Sequence, residues 1–358
     1  MVYSRVMFNL FSPKGNLGID IGTASIKIVE LEKKNGRFNL LNYGLFELTN
    51  VKSANAGGLI EKSILKLPDE EIAWGIKEVL KKSKIASKNA VASIPSFSTF
   101  ATVIQLPYLS EDELAKTIPY EARKYIPIPL DEVVLDWSII GVSGEGVNPT
   151  VEVFLAAVPK DETGRYQKIA AGAGLSLRAL ELENSALIRA LLGNDLSPTA
   201  IINIGGRSTS ILIVNKGYEQ LSHNYEVGGF EITKSIARSL NVSLEKAESL
   251  KKRLGLKEVD ENIINDAMIS LIDMMAFEAK NTISSFETSR GQKVGHVLLV
   301  GGMINMPNFL AHFKERLGRD VSAGNAFARI TYPQGLSSAV GELSSTFAVA
   351  AGLAMREV

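Results

Sequence analysis

The sequence predicts an α/β fold in which one strand, turn and strand unit occurs twice. The first copy spans residues 17–30 (LGIDIGTASIKIVE) and the second spans residues 201–214 (IINIGGRSTSILIV), about 185 residues later. Each copy places a Gly- and hydroxyl-rich turn directly after an apolar run. Between the copies, residues 89–158 differ in texture and contain many prolines. These observations predict two related α/β domains and a smaller inserted subdomain.

Composition narrows the classes of function. The 358 residues suffice for two or three domains with a large core. Lys plus Arg and Asp plus Glu both number 39, so no net charge favours nucleic acid or an anionic membrane. The absence of cysteine excludes structural disulfides, cysteine-ligated zinc and thiol nucleophiles. No uninterrupted apolar run approaches the ~18–20 residues of a membrane span. A soluble, cytoplasmic protein that binds no nucleic acid is expected.

Residues 1–16 are interpreted as an N-terminal lead-in. The segment carries Arg5 and lacks the small-residue cleavage pattern of a secretory signal. A frayed start is one interpretation. The apolar residues between Val6 and Phe11 leave a second one open, a short amphipathic docking segment.

The first domain is predicted over residues 17–88 and 159–192. It begins with an antiparallel meander, in which Asn35-Gly36 is a strong hairpin signal. Its predicted strands and helices span residues 18–21, 25–31, 37–46, 68–83, 161–173, 177–182 and 185–192.

The inserted subdomain is predicted over residues 89–158. Five of the twelve prolines of the chain lie between Pro95 and Pro129. Ser110 and Glu113 have the spacing of a capping box, which begins a helix. The predicted elements form the order ββαββ, at residues 90–94, 99–106, 110–125, 133–142 and 151–158.

The second domain is predicted over residues 193–337. It starts with the second meander, at residues 200–226, and Gly228-Gly229 then opens a helix. Ser243 caps the next helix, and Pro307 is expected in the first turn of a later one. The remaining predicted elements are a long helix at 263–290, a strand at 296–300 and a last helix at 338–355. The C-terminal segment 338–358 is expected to pack back on the first domain.

The two Gly-rich turns have the chemistry of anion sites. Glycine lets the backbone approach a ligand closely, while successive N–H groups and Ser or Thr hydroxyls converge on an anion. The turns Gly22–Ser25 and Gly205–Thr209 both fit this pattern. They predict a pair of phosphate-binding hairpins.

The order of these features resembles the actin-like ATPase superfamily. Within it the chain most resembles the PilM family, the FtsA-related actin-like proteins of type IV pilus assembly. The resemblance covers nearly the whole chain and is carried by Phe8–Phe11, Leu17–Leu31, Ile118–Pro127, Gly301–Gly302 and Phe347–Ala354. It implies the actin-like ATPase fold, made of duplicated ribonuclease-H-like domains, with the small inserted subdomain.

The resemblance also implies a site for ATP and Mg²⁺. Asp20 would hold the metal through water, and the two turns would clamp the phosphates. The residues implied to contact the nucleotide are Asp20, Gly22, Thr23, Ala24, Ser25, Lys27, Asn203, Gly205, Gly206, Arg207, Ser208, Thr209, Gly228, Gly229, Glu248, Lys251, Gly301, Gly302 and Met303. Two alternatives stay open, a solvent-facing Lys27 and an ordinary surface pair of Glu248 with Lys251.

One departure from the superfamily bears on hydrolysis. Many members have an Asp at the start of the second hairpin, where this chain has Asn203. An amide carries no negative charge, so the metal and the attacking water are held less strongly. Arg207 adds a cation to the same turn, and Glu183 is the acidic candidate for orienting water, although a surface position at a helix N-terminus explains it equally well. ATP binding with slow or absent hydrolysis is therefore expected.

The resemblance implies a partner, the cytoplasmic N-terminal tail of the inner-membrane protein PilN. The tail would lie in a groove beside the inserted subdomain, with the apolar strand at residues 99–106 as a candidate wall. The protein would then be cytoplasmic and peripheral to the inner membrane through its partners, other pilus assembly proteins among them. Homo-oligomer formation stays open.

Two other functions remain as alternatives. A sugar or small-molecule kinase would need an aspartate base in the cleft, for which Asp161 is the candidate, although a helix N-cap role suits it better. An FtsA-like division adaptor would need an amphipathic membrane helix near the C-terminus. The Ala/Gly-rich helix before Val358 is instead expected to be buried.

Overall fold

The computed structural model describes residues 15–47, 63–143, 149–257 and 263–357. Apart from its last two residues, the predicted lead-in 1–16 lies outside the described residues. The chain has the predicted α/β fold, in which the strands of the described residues form three sheets and the helices pack on them.

The strands of the described chain occur mostly as consecutive antiparallel units. In chain order they are β1 (Asn16–Ile21), β2 (Ser25–Lys34), β3 (Arg37–Glu47), β4 (Asn89–Ile94), β5 (Phe100–Pro107), β6 (Val133–Ser143), β7 (Thr150–Pro159), β8 (Ser176–Leu182), β9 (Thr199–Ile204), β10 (Thr209–Asn215), β11 (Tyr218–Tyr225), β12 (His296–Val300), β13 (Ser322–Ala323) and β14 (Ile330–Thr331).

The helices pack on these sheets. In chain order they are α1 (Asp69–Lys82), α2 (Glu111–Ala122), α3 (Lys160–Gly172), α4 (Glu183–Leu191), α5 (Gly229–Leu240), α6 (Leu244–Leu254), α7 (Ile263–Arg290), α8 (Phe309–Leu317), α9 (Val340–Thr346) and α10 (Ala348–Ala354).

The two large sheets repeat one topology. The first has the order β14-β3-β2-β1-β4-β8 and the second β11-β10-β9-β12-β13. In each sheet an antiparallel meander is followed by parallel strands, β4 and β8 in the first and β12 and β13 in the second. The carboxyl ends of the parallel strands in both sheets are therefore available to form one cleft.

A shared core joins the two sheets. Ile201 and Leu212 of the second sheet pack in the same buried cluster as Ala186 and Leu187 of α4. This cluster also contains all residues of α10 except Gly352. Helix α4 directly follows β8, the last strand of the first sheet, and packs against the second sheet.

Two glycines let the C-terminal helix α10 pack closely. A Cβ on Gly18 of β1 would lie 1.9 Å from the carbonyl oxygen of Ala350. A Cβ on Gly352 would lie 2.0 Å from the carbonyl oxygen of Ala186 in α4. Real Cβ atoms do not approach backbone this closely, so only glycine allows α10 to lie between β1 and α4.

The third sheet, with the order β5-β7-β6, forms what we call the module, residues 96–159. Helix α2 covers one face of this sheet and begins with the capping box of Ser110 and Glu113. The first strand of the predicted ββαββ segment belongs elsewhere, because β4 pairs with β1 and β8. Its residues are nearly all buried, as the centre of a parallel sheet requires.

Several predicted helix ends need correction. The last helix is not continuous, because it breaks at Phe347 into α9 and α10. Pro307 precedes α8, whose N-cap is Asn308. Asp161 lies in the first turn of α3, so it is not an N-cap. Among the described residues, no helix is long and apolar enough to cross a membrane.

Candidate functional site

Both predicted hairpins open onto one cavity of about 650 Å³. This volume falls in the range of about 300–1,000 Å³ found for ligand sites. The cavity lies between the two large sheets, at the carboxyl ends of their parallel strands. All predicted site residues line it except Thr209 and Gly228.

The two hairpins have the same internal geometry. The amide of Gly22 donates to the carbonyl of Ser25 at 3.0 Å, and that of Gly205 donates to the carbonyl of Ser208 at 2.9 Å. The strand register pairs Asp20 with Lys27 in the first hairpin and Asn203 with Ser210 in the second. Asp20 and Asn203 therefore occupy equivalent positions.

The tips of the hairpins touch each other across the cleft. A Cβ on Gly206 would lie 2.4 Å from the Cβ of Ala24 and 3.4 Å from Oγ1 of Thr23. The two tips can approach this closely only because residue 206 has no side chain. A ligand held by both hairpins would therefore lie between the two large sheets.

Hydroxyl groups on the hairpins are available to a ligand. Thr23, Ser25 and Ser208 line the cavity, and in the described part of the chain their side-chain hydroxyls make no hydrogen bond. Free hydroxyls beside glycine-rich backbone fit the oxygens of a phosphate group. The donor set of the two turns therefore fits a polyphosphate.

Acidic and basic groups meet at the base of the hairpins. Nζ of Lys27 lies 2.9 Å from Oδ2 of Asp20, and Nδ2 of Asn203 donates to Oε1 of Glu183 at 2.7 Å. Burial first, and the nearby Asp20 carboxylate second, raise the pKa of Glu183 to about 7, against the lowering effect of Lys27 and of the hydrogen bonds from Ser96 and Asn203. Lys27 is thus a partly buried partner of Asp20, with 18% of its side chain exposed, rather than a solvent-facing lysine.

The start of α5 supports the second hairpin. The amides of Gly229 and Phe230 donate to the carbonyls of Gly205 and Gly206 at 3.0 and 2.7 Å. A Cβ on Gly228 would meet the Gly205 carbonyl oxygen at 2.7 Å. Gly228 therefore packs under the hairpin and does not line the cavity.

Thr209 also faces away from the cavity. It is fully buried, and its hydroxyl donates to the carbonyl of Val227 at 2.7 Å. As the first residue of β10, it points opposite to Ser210, which lines the cavity. Its predicted phosphate contact is wrong because strand alternation places it in the core.

The pair of Glu248 and Lys251 is not an ordinary surface pair, because Lys251 is buried and Glu248 is partly buried. Nζ of Lys251 lies 2.6 Å from Oε2 of Glu248 and donates to the carbonyl of Gly229 at 2.9 Å. It also donates to Oγ1 of Thr233 at 2.8 Å, and Thr233 donates to Glu248. This network joins α6 to α5 at the wall of the cavity.

Gly301 is required by its surroundings, whereas Gly302 is not. Gly301 has φ +99°, and a Cβ there would lie 2.2 Å from the carbonyl oxygen of Ile204. Gly302 has no atom within 4 Å of its ideal Cβ and faces the cavity, as does Met303. The Gly301 backbone therefore packs against the strand that leads into the second hairpin.

Arg207 stacks on an aromatic ring at the cavity edge. Its guanidinium carbon lies 3.8 Å from the ring centroid of Phe230, within the range of a cation–π contact. The cation is thereby held at the tip of the second hairpin, where it lines the cavity.

Some cavity residues were missed from the sequence. Thr233 lies one helical turn after Gly229, so helical spacing could have indicated it. Ser96 and Phe97 follow the end of β4, a place where ligand contacts are common in parallel sheets. The wrong assignment of β4 to the inserted subdomain concealed that signal.

The cavity fits a metal ion held through water, but Asp161, the aspartate that the kinase alternative would need, does not line it. Within the described ranges, no group of three or more His, Cys, Asp or Glu residues could hold a metal ion directly. Asp20 and Glu183 are placed to accept hydrogen bonds from a hydrated ion, which fits a metal held through water and phosphate oxygens. Asp161 is exposed on α3 and does not line the cavity, so the proposed kinase base is absent from it.

Comparisons with known proteins agree with this architecture. A family model described as type IV pilus assembly protein PilM matches residues 18–358. A solved PilM-PilN type IV pilus biogenesis complex superposes with a TM-score of 0.79 at 23% identity, covering 95% of this chain and 98% of that one. The cell division protein FtsA of Enterococcus faecalis is 23% identical over an alignment of 335 positions that covers 82% of this chain and 74% of that protein.

A nucleotide-bound structure shares the fold. MreB5 of Spiroplasma citri bound to ADP superposes with a TM-score of 0.52 at 13% identity, covering 95% of this chain and 94% of that one. The actin-like fold predicted from the sequence is confirmed by these neighbours.

Proposed function

Because the chain belongs to the type IV pilus assembly protein PilM family, we propose that it is an ATP-binding scaffold of pilus assembly with slow or absent hydrolysis. One observation carries the proposal. Two hairpins with free hydroxyls face each other across one cavity and touch at Gly206 and Ala24. A polyphosphate seated there would bind both domains at once, so its presence would determine how they sit together.

The residues present fit a nucleotide. Thr23, Ser25 and Ser208 would donate to phosphate oxygens, and Lys27 and Arg207 would supply positive charge. Beyond the hairpins, the ribose and base would lie against the part of the cavity wall formed by Glu248, Lys251, Thr233 and the open backbone at Gly302. Mg²⁺, when bound, would screen the phosphate charge.

The same residues are poorly arranged for activating water. Glu183 accepts hydrogen bonds from Asn203 and from the backbone amide of Ser96. Oδ2 of Asp20 forms an ion pair with Nζ of Lys27 at 2.9 Å. Two acceptor positions of the Glu183 carboxylate are thus occupied and the charge of Asp20 is paired, so this group would hold an attacking water less firmly than two unpaired carboxylates would. Slow hydrolysis is therefore part of the proposal.

The proposed partner is the cytoplasmic N-terminal tail of PilN, since the PilM of the solved complex binds PilN. Through this tail the protein would be held at the inner membrane. The tail would lie beside the module. Strand β5 is an edge strand of the module's sheet, with β7 as its hydrogen-bonded neighbour and β11 nearby, so a tail could pair with β5 where β11 does not contact it.

Calorimetry with Mg-ATP tests the nucleotide site. Lys27→Met should weaken binding by ten-fold or more, because a hydrogen bond to a charged group contributes about 1.5–3 kcal/mol. Lys116→Met, at an exposed lysine of α2, is the matched control and should bind as the wild type does. Equal affinity of the two variants, or no binding by the wild type, would refute the site.

Binding of a PilN-tail peptide tests the partner. The peptide should bind the full chain, and its affinity should change when Mg-ATP is present. A variant lacking residues 99–158 keeps β4 in the first sheet and should lose the peptide while still binding Mg-ATP. Peptide binding by that variant would place the groove elsewhere.

A further inference from the structure

We propose that Asn184 is a positioning residue that links the nucleotide cavity to the module, so that nucleotide binding changes how firmly the module is held. The inference rests on the proposed ATP binding and concerns the regulation of that site. Asn184 is the second residue of α4 and is 3% exposed. It does not line the cavity.

The side-chain amide of Asn184 joins three parts of the molecule. Its Oδ1 accepts from Oγ of Ser96 at 2.9 Å, and its Nδ2 donates to Oε2 of Glu219 at 3.0 Å. The amide nitrogen of Asn184 therefore faces the Glu219 carboxyl, and the amide oxygen faces Ser96. One buried amide thus connects α4, the chain entering the module and strand β11 of the second sheet.

Ser96 places the first of these contacts at the root of the module. It opens the 3₁₀ turn Ser96–Ser98, which leads from β4 of the first sheet into β5. Its backbone amide donates to the carboxylate of Glu183, and it lines the cavity. The same residue therefore contacts the nucleotide cavity and the Asn184 amide.

The hydrogen bond from Asn184 to Glu219 should depend strongly on the position of β11, because Glu219 is buried. This carboxyl is 6% exposed, and no ion pair to it forms in the part of the chain that the structure describes. Its hydrogen bonds come from the side chains of Asn184 and Ser222. Because a buried polar group without partners is costly, a movement of β11 away from α4 would be opposed by the loss of the hydrogen bond from the Asn184 amide to Glu219.

The module also contacts the second domain directly. Strand β5 lies beside β11, and Arg290 at the end of α7 lies 3.8 Å from Glu152 of β7. A rotation of the second sheet against α4 would therefore move one set of module contacts relative to the other. Asn184 lies where both sets meet, since Ser96 and Glu219 hold opposite ends of its amide.

Hydrogen exchange of the full chain, with and without saturating Mg-ATP, measures the link. In the wild type, Mg-ATP should slow amide exchange in residues 96–107 at least ~5-fold. N184D keeps an acceptor for Ser96 but opposes Glu219 with a second carboxyl. It should bind Mg-ATP within ~3-fold of the wild type, and the effect of Mg-ATP on residues 96–107 should fall below ~2-fold.

A double variant distinguishes loss of the hydrogen bond between residues 184 and 219 from overall destabilisation of the protein. N184D/E219Q exchanges the amide and the acid, so the hydrogen bond returns with reversed direction and unchanged net charge. It should restore the response of residues 96–107. Helix α8, far from Asn184 in the second domain, serves as the internal reference for overall stability.

The outcomes distinguish the two proposals. If the wild type does not bind Mg-ATP, the proposed function and the link both fail. If it binds but residues 96–107 exchange equally fast with and without nucleotide, only the link fails. The link is also refuted if N184D responds as the wild type does, or if N184D/E219Q stays as unresponsive as N184D.

Discussion

Gly301→Ala should destabilise the protein and weaken nucleotide binding, while Gly302→Ala beside it should leave the stability of the protein unchanged. Gly301 has φ +99°, where alanine is strained. An added Cβ would lie 2.2 Å from the carbonyl oxygen of Ile204 and 2.8 Å from its carbonyl carbon. Gly302 has neither constraint, since nothing lies within 4 Å of its ideal Cβ.

The two constraints at Gly301 set the magnitude. A sparsely populated backbone conformation costs about 1–3 kcal/mol, and overpacking against well-packed neighbours costs about 1–3 kcal/mol more. The expected loss of about 2–6 kcal/mol is a large fraction of the ~5–15 kcal/mol by which domains are stable. Gly302→Ala should stay within about 0.5 kcal/mol of the wild type.

Urea unfolding and Mg-ATP calorimetry on both variants check this reasoning. Ile204 precedes Gly205, so a displaced carbonyl moves the second hairpin, and Gly301→Ala should lose ten-fold or more in affinity. If Gly301→Ala unfolds within about 0.5 kcal/mol of Gly302→Ala, the strand end and the Gly301 backbone do not pack as described.

Two further substitutions test the charged groups of the cavity. The pKa of Glu183 is raised to about 7 from 4.5, so its proton stabilises the native state below pH 4.5 and this contribution is lost as pH rises through 7. Glu183→Gln should therefore be more stable than the wild type at pH 8, by up to about 3 kcal/mol, and the gain should vanish at pH 4; equal gains at both pH values in thermal unfolding would contradict this. Lys251→Met should cost about 1.5–3 kcal/mol because it removes the buried charged donor to Glu248, Thr233 and the Gly229 carbonyl, whereas Lys252→Met, at a side chain 61% exposed that lies 3.6 Å from the same Glu248 carboxylate, should change the free energy of urea unfolding by less than about 0.5 kcal/mol. Similar losses in the two lysine variants would show that burial does not set the strength of the Glu248 pair.

Local patterns were enough to predict the hairpins and most helix starts. The turns at Gly22 and Gly205 are encoded by adjacent residues, and both form with one backbone hydrogen bond across the turn. The caps at Ser110 and Ser243 likewise depend on residues within one helical turn. Such features need no knowledge of distant packing.

Features that depend on distant packing were missed. Strand β4 has the same apolar texture whether it joins the first sheet or the module, and only its pairing with β1 and β8 decides. The burial of Lys251 requires α5 to lie across α6, which no spacing within α6 reveals. The link through Asn184 joins residues 88 and 35 positions apart, beyond any local pattern.

Asn203 in place of Asp20 is not the only difference between the two hairpins. The residue opposite each also differs, because Lys27 pairs with Asp20 where Ser210 faces Asn203. In the first hairpin the acid is neutralised, and in the second the amide donates to Glu183. Because Asp20 is paired with Lys27, Glu183 supplies the remaining negative charge at the base of the hairpins. The pKa of Glu183 is raised to about 7, so part of the protein carries a neutral Glu183 carboxyl at pH 7. A divalent cation would then be held mainly by the phosphates that accompany it, which favours an occupied cleft over a working hydrolytic centre.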